Sequence, residues 1–101
     1  MNIEISNKAH KQLANIQNYI SKDNEHYAPI FIEKIYDEMV EIPDFPYKAR
    51  VAPEFNNEFI RDLIFKNYRI IYEILPDKIR ILTVIHGSRD LTDEKNSPFE
   101  K

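Results

Sequence analysis

Tyr68-Arg69-Ile70-Ile71-Tyr72-Glu73-Ile74-Leu75, Pro76-Asp77-Lys78 and Ile79-Arg80-Ile81-Leu82-Thr83-Val84-Ile85-His86 follow one another without a break, and their reading decides the fold. Two runs rich in β-branched and aromatic residues flank a Pro-Asp turn, the pattern of an antiparallel hairpin. Successive strand side chains point to opposite faces. A two-residue loop pairs odd positions of one strand with even positions of the other, so the register follows from the loop length. In that register the aromatic and aliphatic set Tyr68, Ile70, Tyr72 and Ile74 gathers on one side with Ile79, Ile81, Thr83 and Ile85. Arg69, Glu73, Arg80 and His86 gather on the other, with Arg69 and His86 near the same end. Such a half-polar face is a candidate working surface. The alternative is that Arg69 simply pairs with an acidic neighbour such as Asp62, since an exposed antiparallel face is ordinarily polar.

Upstream, Phe59 to Phe65 is a further strand, joined to the hairpin by a short turn at Lys66-Asn67. Pro43 to Asn57 contains three prolines and little periodicity, and reads as a loop. Apolar residues at Ala9, Leu13, Ile16 and Ile20 lie on one stripe of a helix capped by Ser6 and running to about Ser21. A second stripe, Ala28, Phe31, Ile35, Met39 and Ile42, predicts a helix starting near His26 or Tyr27, because Pro29 is tolerated only in a first turn. Asn2 to Ile5 is a short strand. The order β-α-α-β-β-β predicts an α+β fold: a helical hairpin packed on one face of an antiparallel sheet. Residues 1–91 form one domain, and the polar residues 92–101 form a frayed tail.

Composition narrows the function classes. A single glycine, Gly87, excludes the glycine-rich loops that cradle phosphates, and the lack of cysteine excludes disulfides and thiolate metal sites. No cofactor or metal is expected. The amino-terminal residues lack the basic and apolar regions of a secretory signal, so the expected location is the cytoplasm. The net charge is −3, yet Tyr47 to Arg89 carries a local excess of three positive charges. His10 and His26 have no metal-ligand spacing, and Glu33, Asp37, Glu38 and Glu41 read as a solvated helix face.

The stretch from Asn67 to Ile74, continued by Ile79-Arg80-Ile81-Leu82-Thr83-Val84-Ile85-His86-Gly87-Ser88-Arg89-Asp90-Leu91, resembles the signature of RelE/ParE toxins of type II toxin–antitoxin systems. Arg50-Val51-Ala52-Pro53-Glu54-Phe55 and Ile60-Arg61-Asp62-Leu63 are similar to upstream segments of the same family. The resemblance spans about residues 2 to 91 and implies the fold read above.

The resemblance implies one of two activities. RelE-type toxins cut mRNA in the ribosome. There Arg69 would stabilise the scissile phosphate, His86 or Arg89 would serve as the group from the last strand, and Glu54 would be the base. The chain departs from the strongest nuclease pattern: a late tyrosine and a lysine cluster before the third strand are missing. ParE-type toxins block DNA gyrase by binding, and the His86-to-Leu91 ending is closer to that branch. Either branch implies a cognate antitoxin that masks the toxic surface, with Tyr27, Phe31 and Tyr36 as exposed candidate contacts. A non-toxic binding module is the reading from another class.

Overall fold

The computed structural model describes residues 2–88 of the 101-residue chain. The elements are β1 (Asn2–Ile5), α1 (Asn7–Ser21), α2 (Tyr27–Glu41), a 3-10 turn (Ile42–Asp44), β2 (Arg50–Val51), β3 (Ile60–Phe65), β4 (Tyr68–Ile74) and β5 (Lys78–His86). They form one five-stranded sheet in the order β1-β5-β4-β3-β2, with both helices against one face.

Local chemistry places the helix boundaries where the residues predict them. The Ser6 hydroxyl accepts from the Ala9 backbone N–H at 3.0 Å, satisfying one of the unpaired donors of the first turn of α1. The same hydroxyl donates to the Leu82 carbonyl at 2.9 Å, which ties the helix start to the last strand. Pro29 sits in the first turn of α2, where its missing N–H costs no intrahelical bond. The stripes of both helices meet Ile70, Tyr72, Ile74, Ile79, Ile81 and Val84 in the main core. Fully burying a side chain of this size contributes about 1.5–3 kcal/mol, so this face dominates stability.

Three features differ from the expected sheet. β1 runs parallel to β5, with Ile3 beside Ile79, so the sheet is mixed. Only the β2–β5 portion is antiparallel. The proline-rich segment contributes the two-residue strand β2, which pairs Arg50 with Asp62 and Val51 with Arg61.

The third difference moves a candidate residue. Ile74 pairs with Ile79, and Leu75 donates to the Lys78 carbonyl at 2.9 Å, so the loop is indeed the two residues Pro76 and Asp77. Farther along, Tyr72 pairs with Ile81 but Ile71 pairs with Thr83. Leu82 is the extra residue of a β-bulge, and every side chain beyond it changes face. Val84 therefore joins the helix-side core, whereas Leu82 and Ile85 join a second cluster with Ile71, Ile60 and Ala52. His86 pairs with Tyr68, and Arg69 pairs with Ile85. Arg69 and His86 thus lie on opposite faces of the sheet.

Candidate functional site

The face away from the helices is covered by the segment after β2. Ala52 is fully buried, and Phe55 packs on Ile60, Ile71, Leu82 and Ile85. Beneath this segment lies a four-residue charge cluster. Arg69 donates through Nε and Nη2 to Asp62 Oδ2 at 2.9 and 2.6 Å. Its Nη1 and Nη2 also bind the Glu54 carboxylate in a two-point fork at 2.6 and 2.7 Å. Arg50 adds two bonds to the same Asp62 oxygen, at 3.1 and 2.7 Å.

Arg69 is 5% exposed and Asp62 1% exposed, so this is a buried network. Burial of an unpaired charge is very costly, and the fork geometry of arginine meets that cost by matching two carboxylates at once. The hydrogen bond from Arg69 holds the Glu54 carboxyl below the ordinary carboxylate range, against the opposing effect of partial burial. Conversely, Arg69 is held even more firmly as a cation, first by Glu54 and then by Asp62. Arg69 and Glu54 are brought together here, but as partners of each other. The pairing of Arg69 with Asp62 is the alternative that the sequence left open.

His86 belongs to a different place. Its ring meets the Tyr68 ring edge-on, with centroids 5.7 Å apart. The Ser88 backbone N–H donates to Nδ1 at 3.2 Å, and the Ser88 hydroxyl lies 2.8 Å from the same atom. Nδ1 is therefore an acceptor, which leaves the proton of the neutral ring on Nε2. Around His86 opens a groove of about 730 Å³ between α1 and the ends of β4 and β5. Gln12, Asn15, Ile16 and Tyr19 form its helical wall, and Asn67, Tyr68, Val84 and Ser88 contribute to the sheet side. Among the described residues no lysine or arginine lines it.

The sequence pattern did not single out Gln12 or Asn15. The available signal was the spacing 12, 15, 16, 19, a second helical face beside the core stripe, on which Tyr19 is 67% exposed. Gln12 has a specific role. β1 ends opposite Ile81, so β5 loses its strand partner on that side. The Ser6 N–H takes the Ile81 carbonyl at 3.0 Å, and Gln12 Oε1 accepts from Val84 N at 2.8 Å and from the Thr83 hydroxyl at 2.9 Å.

Among the expected antitoxin contacts, Phe31 is a correction: it is 6% exposed and belongs to the core. Its ring packs on Phe65 and Tyr68, each with centroids 5.7 Å away, because it sits on the inner stripe of α2. Tyr36 is half-buried against the same core, and Tyr27, at 36% exposure, remains at the surface beside Phe31. Arg89 and the tail from 92 to 101 lie outside the described residues. Among the described residues no cluster of histidine and carboxylate side chains is placed to hold a metal, and no helix is long and apolar enough to cross a membrane.

Comparison with known proteins places this architecture. No curated protein matches the chain. A solved structure described as the chromosomal ParDE toxin–antitoxin system from P. aeruginosa superposes with a TM-score of 0.72 at 16% identity, covering 85% of this chain and 95% of that one. At that identity the likeness speaks for the fold alone. The sequence profile of the ParE toxin of the type II toxin–antitoxin system parDE matches residues 3–91. The chain belongs to the family of ParE toxins of type II toxin–antitoxin systems.

Proposed function

We propose that this ParE-family toxin arrests growth by binding its target, DNA gyrase, in the cytoplasm, without cutting RNA, and that a cognate antitoxin masks it. The observation that carries the reading is the placement of Arg69. Ribonucleolytic cleavage needs a cation on the scissile phosphate close to the acid and base. Here the guanidinium is committed to Glu54 and Asp62 beneath the loop after β2, on the opposite face from His86. Among the described residues the groove around His86 is lined by no cation. A surface of amides, tyrosines and short apolar side chains suits protein recognition better than a polyanion.

Induced expression of the chain in a bacterial host tests toxicity first, and normal growth with folded protein present speaks for a non-toxic binding module. Purified protein is then assayed for inhibition of gyrase supercoiling and for message cleavage in a reconstituted translation system. Inhibited supercoiling with intact message is the expected result. Cut message, lost by at least about 10²-fold in a folded Arg69→Ala variant, would return the RelE-type mechanism.

A further inference from the structure

His86, Gly87 and Ser88 follow one another where β5 ends at the groove, and all three are exposed. Gly87 tightens this turn: its N–H donates to the Asn67 carbonyl at 2.7 Å, and a Cβ there would lie 3.3 Å from the same oxygen. The turn folds Ser88 back onto the histidine. Its hydroxyl lies 2.8 Å from His86 Nδ1, nearer than its own backbone N–H at 3.2 Å. Tyr68, opposite His86 in the sheet and edge-to-face with it at 5.7 Å, fixes the plane of the imidazole.

The other serines among the described residues are engaged differently. The Ser6 hydroxyl donates to the Leu82 carbonyl, and the Ser21 hydroxyl to the Asn18 carbonyl. A carbonyl oxygen accepts a hydrogen bond without taking the proton, whereas a neutral imidazole nitrogen is a base. Ser88 is thus the described serine whose hydroxyl faces a general base, at an exposed position.

We propose that Ser88 is a nucleophile activated by His86, and that it accepts the acyl group of small uncharged esters. Ser88 Oγ adds to the ester carbonyl carbon while its proton passes to His86 Nδ1. The tetrahedral intermediate then collapses, the bond to the leaving oxygen breaks, and that oxygen takes the proton from His86. The products are an ester at Ser88 and a free alcohol, with the imidazole neutral again. The side-chain amides of Gln12, Asn15 and Asn67 line the same groove and are the donors at hand for the oxyanion. Gln12 spends its oxygen on Val84 N and the Thr83 hydroxyl, which leaves its NH2 end to donate. Ile16, Val84 and two tyrosines offer the acyl chain apolar contact. No acid, lysine or arginine is among the described lining residues, so a charged acyl group finds no counterion there. This site goes beyond the toxin reading and stands or falls without it.

Incubation of the full chain with p-nitrophenyl butyrate, followed by peptide mass spectrometry, tests the proposal. Butyryl should appear on Ser88 as the dominant adduct, and urea-unfolded chain should not show this preference. His86→Ala should slow acylation of Ser88 at least about 10²-fold, the lower end for loss of a general base. Added imidazole should restore part of that rate, which a merely structural effect of the substitution would not allow. His86 and Ser88 are both exposed, so circular dichroism of His86→Ala and Ser88→Ala should match the parent. Butyryl confined to lysines, equal labelling of Ser88 in folded and unfolded chain, or an unchanged rate in His86→Ala would overturn the assignment. So would a folded His86→Ala chain that imidazole fails to rescue.

Discussion

Replacing Arg69 with methionine removes the hub of the buried charge cluster while keeping most of the side-chain stem. In the native fold four donors converge on Asp62 Oδ2, two from Arg69 and two from Arg50. After the change Asp62 retains only Arg50, whose side chain is 54% exposed and holds the carboxylate against competing water. Glu54 loses the two-point bond from Arg69 and with it its tether to β4. Breaking a buried ion pair by removing one partner costs about 3–5 kcal/mol, and the surviving Arg50 contact places the expectation near the lower end, about 3 kcal/mol. Set against a total stability of about 5–15 kcal/mol, this is a large fraction. For a domain of this size it corresponds to a fall in Tm of about 12–24 °C.

Urea unfolding followed by far-ultraviolet circular dichroism measures the effect, with the slope checked for change. A second variant makes the test discriminating. Combining Arg69→Met with Asp62→Leu and Glu54→Gln removes the stranded charges together, and should recover most of the lost stability, since apolar replacements of buried ion networks are often neutral or better. A single Arg69→Met variant within about 0.5 kcal/mol of the parent would refute the reasoning, because it would mean that the cluster is solvated in solution.

Ser6→Ala should cost about 2 kcal/mol, the upper end for a lost helix cap, because the hydroxyl both caps α1 and donates to Leu82; chemical denaturation reads it. On acidification, the depressed pKa of Glu54 contributes stability that is present above the unfolded value, about 4.3, and lost as pH falls through the lower folded value. Glu54→Gln should flatten the acid limb of a stability-versus-pH curve below about pH 4.3. Burial pushes the Tyr72 phenol up to about 12, and its hydroxyl donates to the Pro46 carbonyl at 2.6 Å. Its contribution is complete below the unfolded value of about 10 and lost as pH rises toward 12. Spectrophotometric titration should show a tyrosine titrating near 12 that vanishes in Tyr72→Phe, a variant destabilised by about 1 kcal/mol.

The helices were legible because each rests on a local rule: a serine cap, a proline confined to the first turn, a stripe repeating every three or four residues. The hairpin loop was legible for the same reason. The course of β5 was not, because Ile81-Leu82-Thr83-Val84-Ile85 offers a side chain acceptable to a buried face at every position. Nothing in such a run marks which residue is skipped, and one bulge at Leu82 sent His86 to the helix side. β2 was hidden by its length of two residues among prolines. The burial of Arg69 was not written in its own strand: it depends on Glu54, fifteen positions earlier, folding back across the sheet. Phe31 was placed correctly on its stripe, and only its exposure was misjudged, since periodicity tells which side faces the core and not how far the core extends.

The pairing of β1 with β5 has a kinetic consequence. Ser6 and Leu82 are 76 positions apart, whereas β3, β4 and β5 are joined by short turns. Closing short loops costs less chain entropy than closing long ones, so the three-stranded meander has the lowest barrier to assembly. The parallel edge is the most non-local contact in the domain, and its closure belongs to the last stage of folding. Until then the outer side of β5 is bare along its length. In the finished molecule Ser6 and Gln12, not a strand, meet that side of β5 past Ile81.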